Sequence, residues 1–236
     1  PASSALAATT GAFNGAVGVG NASVNATLHV ADGTNANVGS ASTPAIQIGG
    51  ATTYRMGMYT SAEQAIIDNQ NGDDGVAIHV KTGGESLVVD GNGAVIMPKQ
   101  PAFQVKPASN QDNIAINDAV TVVFGTEIFD QNADFASNTF TAPVTGKYHL
   151  DVHLYIENID TAADYYQLRL VTSNRTQYQT MDFGGYSADA VYGRLSLSIL
   201  TDMDASDTST VIIQQVGGTS QTDVKDLSYF SGYLVA

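Results

Sequence analysis

The 236-residue chain has no cysteine. A disulfide framework, a thiolate metal site and a cysteine nucleophile are therefore excluded, while the compartment stays open. Basic residues are scarce, nine Lys and Arg against 23 Asp and Glu, for a formal charge of −14. Such a field repels phosphate backbones and anionic membrane surfaces, so nucleic acid is not expected as a partner. The plainest consequence of the charge is solubility. No uninterrupted apolar run approaches the roughly 20 residues of a membrane span, and no membrane insertion is expected. The first residues lack the basic-then-apolar pattern of a signal peptide. Helical spacing is scarce too, apart from a possible turn around 61–67. The sequence has no G-x-S-x-G, no H-E-x-x-H and no P-loop. A Ser/His/Asp triad can assemble from distant positions, yet His29, His79, His149 and His153 fall on strand-like segments. Motifs and positions therefore give no reason to expect an enzyme, although they do not exclude one.

What the sequence does contain is period-two alternation. After the Pro143 and Gly146 punctuation, Tyr148, Leu150, Val152, Leu154 and Ile156 share one face. His149, Asp151, His153, Tyr155 and Glu157 share the other. Successive strand residues point to opposite sides of a sheet, so this is a strand with one face in a core. Val191, Leu195, Leu197 and Ile199 alternate likewise with Tyr192, Arg194, Ser196 and Ser198. From Phe103 on, strands are expected at about 102–106, 113–116, 120–124, 147–157, 165–172, 176–181, 190–200, 209–216 and 228–235. That number suits a jelly roll.

The N-terminal part reads differently. Residues 1–25 are dominated by Ala, Gly, Ser, Thr and Asn, too little apolar bulk to offset chain entropy, and are expected to be a flexible or partner-ordered attachment segment. Residues 26–97 alternate short strand-like pieces (27–30, 45–48, 54–60, 65–68, 76–80, 87–90, 94–97) with Asp-Gly, Asn-Gly and Gly-Gly turns. Pieces of four to seven residues with few aromatics cannot close a core from one copy. Three copies wound together would, so the segment reads as a β-rich fibre shaft. Pro98 and Pro101 then stiffen a link over 98–101, ahead of a head over 102–236.

Two motifs carry a resemblance. Phe140-Thr141-Ala142-Pro143-Val144-Thr145-Gly146-Lys147-Tyr148-His149-Leu150 resembles the run that enters a central strand of the complement C1q globular-head (C1q/TNF-like) family. Tyr229-Phe230-Ser231-Gly232-Tyr233-Leu234 is similar to that family's closing strand. Upstream, Ala16–Gly20 through Ala26–Val30 and the Met97–Phe103 link look like bacteriophage tail-fibre segments. The fold class expected is therefore all-β: a C1q/TNF-like jelly-roll sandwich behind a β-rich fibrous shaft, intertwined in a trimer.

The resemblance turns the sheet that holds 147–157 toward a threefold axis. It thereby implies that His149, Asp151, His153 and Tyr155 line the subunit interface, and the polar face of 190–200 adds Tyr192 and Arg194. His149 and His153 are four residues apart, about 13 Å on a strand, so one ion cannot take both from one chain. Three symmetry-related copies of His149, Asp151 or His153 could ring a metal instead. A polar, hydrated interface layer is the simpler reading. Some C1q-like heads bind calcium, which leaves room for a structural calcium or other metal ion, although no cofactor is required. Across 68–75 the Gly falls one position late for a calcium loop and Val80 stands where its Glu should be, so a turn fits better. The sequons at Asn21, Asn25 and Asn174 are read as chance in an Asn-rich chain.

Strand parity places the loops 107–119, 158–164, 182–189 and 217–227 at the end remote from the shaft. They carry Asp160, Asp164, Tyr186, Asp189, Asp223 and Asp226, with Tyr165 alongside, as receptor-binding candidates. Aromatic faces with carboxylate and amide acceptors suit sugar hydroxyls, whereas exposed acidic loops can also be merely solvated. The function expected is that of a homotrimeric bacteriophage fibre on the virion surface. It would be joined to a virion protein through its N-terminal segment and would adhere through its head to a host glycan or protein. A structural capsid decoration is the alternative reading, and a polysaccharide-degrading spike a further one.

Overall fold

The computed structural model describes residues 46–49, 55–61, 64–69, 76–80 and 84–236. The attachment segment 1–25, the 27–30 piece and most of the candidate calcium loop (70–75) lie outside them. The described residues fall into two compact units. One holds those up to Val76 with Asp90–Gly93, the other Ala77–Val89 with Ala94–Ala236.

In the first unit β1 (Ile46–Gly49), β2 (Arg55–Ser61) and β3 (Gln64–Asn69) form an antiparallel sheet, with Ile46 opposite Met58 and Met58 opposite Ile67. Where a helical turn was possible around 61–67, Ser61 and 64–67 are strand instead, with Ser61 opposite Gln64. Ile66 and Ile67 are β-branched and lose side-chain freedom in a helix, which favours the strand. The Asp90–Gly93 turn is closed by Gly93 N–H donating to Asp90 C=O at 2.9 Å.

The second unit contains a three-stranded sheet of β4 (Val76–Val80), which starts at the boundary, β5 (Gly84–Val89) and β6 (Val95–Ile96). It also contains a jelly-roll sandwich. One sheet runs β10 (Phe135–Ala136), β11 (Thr139–Thr141), β16 (Thr208–Gly217), β13 (Ala163–Thr172), β14 (Thr176–Met181), with β8 (Val120–Thr121) on β16. The other runs β15 (Ala190–Met203), β12 (Gly146–Ile159), β18 (Tyr229–Leu234), β7 (Ala102–Lys106), β9 (Thr126–Asp130), with β17 (Asp223–Val224) on β12. The chain is all-β, with no helix among the described residues.

The alternation in β12 has the consequence expected of it. Tyr148, Leu150, Val152, Leu154 and Ile156 are all fully buried between the sheets. A cluster of rings fills one end of the core. Phe103 stacks on Phe140 with centroids 4.6 Å apart and on Phe135 at 5.4 Å, and meets Phe230 edge-on at 5.0 Å. Tyr148 joins this core and donates its hydroxyl to Val144 C=O at 2.7 Å, satisfying its polar end.

Two expected elements need correcting. Residues 113–116 are not a strand: Asn113 and Asn117 have φ of 57° and 67°, which breaks any extended run, and Ile114 is a buried anchor. Only single bridges, Gln111 to Val224 and Ile116 to Gln215, remain there. Between 124 and 147, where no strand was expected, lie three short strands, β9 to β11.

Gly232 sits at a close approach within the core. A Cβ there would lie 2.6 Å from Leu150 Cδ2, 2.8 Å from Phe103 Cε1 and 3.1 Å from the His149 carbonyl oxygen. Since a backbone atom is among the three, side-chain repacking alone cannot clear the space. Gly232→Ala is expected to cost about 1–3 kcal/mol as overpacking, seen as a lower urea midpoint with an unchanged slope.

Candidate functional site

Two surfaces of the sandwich concentrate chemistry, the outer face of the β15-β12-β18-β7-β9 sheet and the loop end. On the outer face, register puts His153 between Ser196 and Tyr229, and His149 between Leu200 and Tyr233. His153 Nδ1 is 2.8 Å from Ser196 Oγ, its Nε2 accepts from Arg194 at 2.6 Å, and its ring stacks on Tyr229 at 5.4 Å. Arg194 lies over the Tyr155 ring at 4.8 Å, and Tyr155 stacks on Tyr192 at 5.3 Å. His149 Nε2 reaches Ser198 Oγ at 3.1 Å, and the ring packs beside Tyr233.

These six expected interface residues (His149, Asp151, His153, Tyr155, Tyr192 and Arg194) do share one sheet face, since they alternate outward on paired strands. Among the described residues of one chain, no three of His, Asp and Glu converge on a metal position. His153 has a further reason to be a poor ligand, because Nε2 already accepts from a guanidinium. Desolvation first, and then Arg194, push its pKa below the usual 6.5, while Asp151 opposes them. A depressed histidine pKa withholds a proton that the unfolded chain would take. Stability therefore falls as pH drops from about 6.5 through the folded value. Arg194→Ala is expected to move the His153 titration, followed by ring-proton NMR, up toward 6.5.

The loop end gathers the four loops that strand parity placed together. A cleft of about 450 Å³ is lined from 107–119 by Asn113, from 158–164 by Asn158, Ile159 and Asp160, from 182–189 by Asp189, and from 217–227 by Ser220 and Gln221. Ala190 and Val191 at the start of β15 complete its wall.

Not all the expected receptor contacts face outward. Asp160 is only 3% exposed. Its Oδ1 accepts from Ala162 N–H at 2.8 Å; its Oδ2 accepts from Ser220 N–H at 2.8 Å and from both the N–H and the hydroxyl of Thr219. Those donors, led by the Thr219 and Ser220 amides, hold its pKa below 3.8. Asp160 is thus a clamp between two loops, not an exposed contact. Asp223 is also buried: Oδ1 accepts from Asn113 N–H and Oδ2 from Asn158 Nδ2, each at 2.7 Å. The unmet donors of irregular loops draw both carboxylates inward.

Asp189 is exposed and turns Oδ1 to Thr161, accepting from its N–H at 2.9 Å and its hydroxyl at 2.8 Å. Asp164 and Tyr186 are exposed, Asp226 and Tyr165 half-buried, and none of these four lines the cleft. Tyr186 packs on Phe183, which is buried against Tyr166. Burial pushes the Tyr166 hydroxyl up to about 12, and that hydroxyl accepts from Asp160 N–H. Asn113, Asn158, Ser220 and Gln221 were not among the expected contacts, and Val191, expected on the apolar face of its strand, is exposed in the cleft wall instead. The only sequence signal of the first four was membership of loops at the right parity.

No protein-family model and no curated protein matches the chain. Among solved structures it is similar to the globular domain of zebrafish complement 1qA, at 22% identity and a TM-score of 0.41, covering 58% of this chain and 98% of that one. It is also similar to murine APRIL in its pH 5.0 crystal structure, at 10% identity and a TM-score of 0.42, covering 58% of this chain and 100% of that one. The structures it is similar to are C1q- and TNF-family globular domains.

Proposed function

We propose that this chain is a homotrimeric bacteriophage fibre on the virion surface, anchored through its N-terminal segment to a virion protein. Residues 26–97 form its shaft, and its sandwich head adheres without catalysis to a host-surface receptor. The observation that carries the reading is the uncovered outer face of the β15-β12-β18-β7-β9 sheet. There Phe129, Tyr192, Leu200 and Tyr233 are each about half exposed or more, amid the Arg194, His149 and His153 contacts. A monomer rarely leaves so many large apolar groups on one sheet face, and a closed symmetric assembly would cover them. Ile78, Val95 and Ile96 on β4 and β6 are exposed in the same way. Three identical tips then multiply a weak single-site affinity.

Light scattering is expected to give a mass near three times 24.6 kDa; a monomeric mass would remove the assembly. Purified protein is expected to compete with virions for adsorption to the host. Label found on the capsid, with no competition, would favour a decoration protein.

A further inference from the structure

We infer that the loop-end cleft is the receptor site itself and that it takes an uncharged sugar of one or two rings rather than a sialylated, sulfated or other acidic glycan. This rests on the adhesive reading above and deepens it. The cleft is of ligand size, about 450 Å³, within the roughly 300–1,000 Å³ of small-molecule sites. Its walls are fixed before any ligand arrives. Asp223 ties Asn113 to Asn158, and Asp160 ties the 158–164 loop to Thr219 and Ser220. Asn113 and Asn158, both bonded to Asp223, have left-handed backbones with φ of 57° and 58°.

The groups left over define the ligand. Among the described residues, the Asn113 side-chain amide, the Ser220 hydroxyl and Asp189 Oδ2 are engaged in no hydrogen bond, while Asp189 Oδ1 is anchored on Thr161. An amide, a hydroxyl and a carboxylate oxygen offer donors and acceptors to sugar hydroxyls. Val191, 60% exposed at the same wall, supplies apolar surface for the C–H face of a ring. No Lys or Arg lines the cleft. The nearby Lys225 is spent on Glu157, Nζ to Oε2 at 2.5 Å. With Asp189 in the wall and a chain charge of −14, an anionic sugar would meet repulsion and no counter-charge.

The test uses the full chain on a printed panel of neutral hexose oligosaccharides beside their sialylated and sulfated counterparts. Two variants accompany it. Asp189→Asn keeps an oxygen for Thr161 while removing the charge, and Asn113→Gly removes the amide but tolerates the left-handed backbone. Both must melt like the parent. Retention of one or more neutral sugars, weakened about tenfold or more in each variant, is the expected result. Retention of acidic glycans only, or neutral binding indifferent to both variants, overturns the inference and leaves adhesion standing. A panel that captures nothing also overturns it, and competition for virion adsorption then decides separately whether the head binds a protein receptor.

Discussion

Replacing Phe103 by alanine is expected to remove about 3–5 kcal/mol of stability, the usual cost of deleting a buried phenylalanine. Phe103 sits on β7, 1% exposed, where its ring bridges the two sheets. It stacks on Phe135 and Phe140 of the β10–β11 hairpin and meets Phe230 of β18 edge-on. Removing it therefore opens a cavity whose walls are other rings, each fixed by its own strand. They cannot all close on the gap, so both the transfer term and the cavity term are lost. Urea unfolding followed by tyrosine fluorescence, at matched protein concentration because assembly adds mass-action stability, reads the change. A loss under about 1 kcal/mol would show that the ring is not packed between the sheets.

Asp160→Asn is expected to destabilise the loop end by about 2 kcal/mol or more despite its near-identical shape. The carboxylate accepts from Ala162, Thr219 and Ser220 amides and from the Thr219 hydroxyl, so both oxygens face donors. An amide turns one of them into an NH₂ that confronts N–H groups. One or more buried donors are left without an acceptor, and that loss exceeds the value of a single bond. The same clamp predicts a pH dependence. Its folded pKa lies below 3.8, so its contribution is complete above about pH 4 and disappears as pH falls through the folded value. Amide exchange at Thr219 and Ser220 should report both effects. Unchanged protection in Asp160→Asn would show that the clamp is not what orders these loops.

Much of the sandwich was legible because burial on one side of a sheet writes itself as alternation. β12 showed it over 147–157 and β15 over 194–199, with Val191 and Leu200 as exposed exceptions, and even the loops that share an end followed from strand parity. The short strands β9 to β11 did not show it. In β9, Ile128 and Phe129 are adjacent and both exposed, and the register with β7 shifts between Gln104 and Val105. β10 and β11, of two and three residues, carry too few positions for a period. Ile114 and Ile116 gave the opposite error, mimicking a strand where left-handed asparagines make a loop.

The candidate site was less legible than the fold. Asp160 and Asp223 looked like exposed loop carboxylates, and nothing local separates them from Asp164 or Asp189. What draws two of them inward is the supply of unpaired backbone N–H groups from loops that are distant in sequence. By itself the sequence determined the class of fold, its long strands and the sign of its charge, since these depend on local periodicity and composition. Only the tertiary structure decided which carboxylates became clamps and which groups remained to line the cleft, because those depend on hydrogen-bond partners up to 110 residues apart.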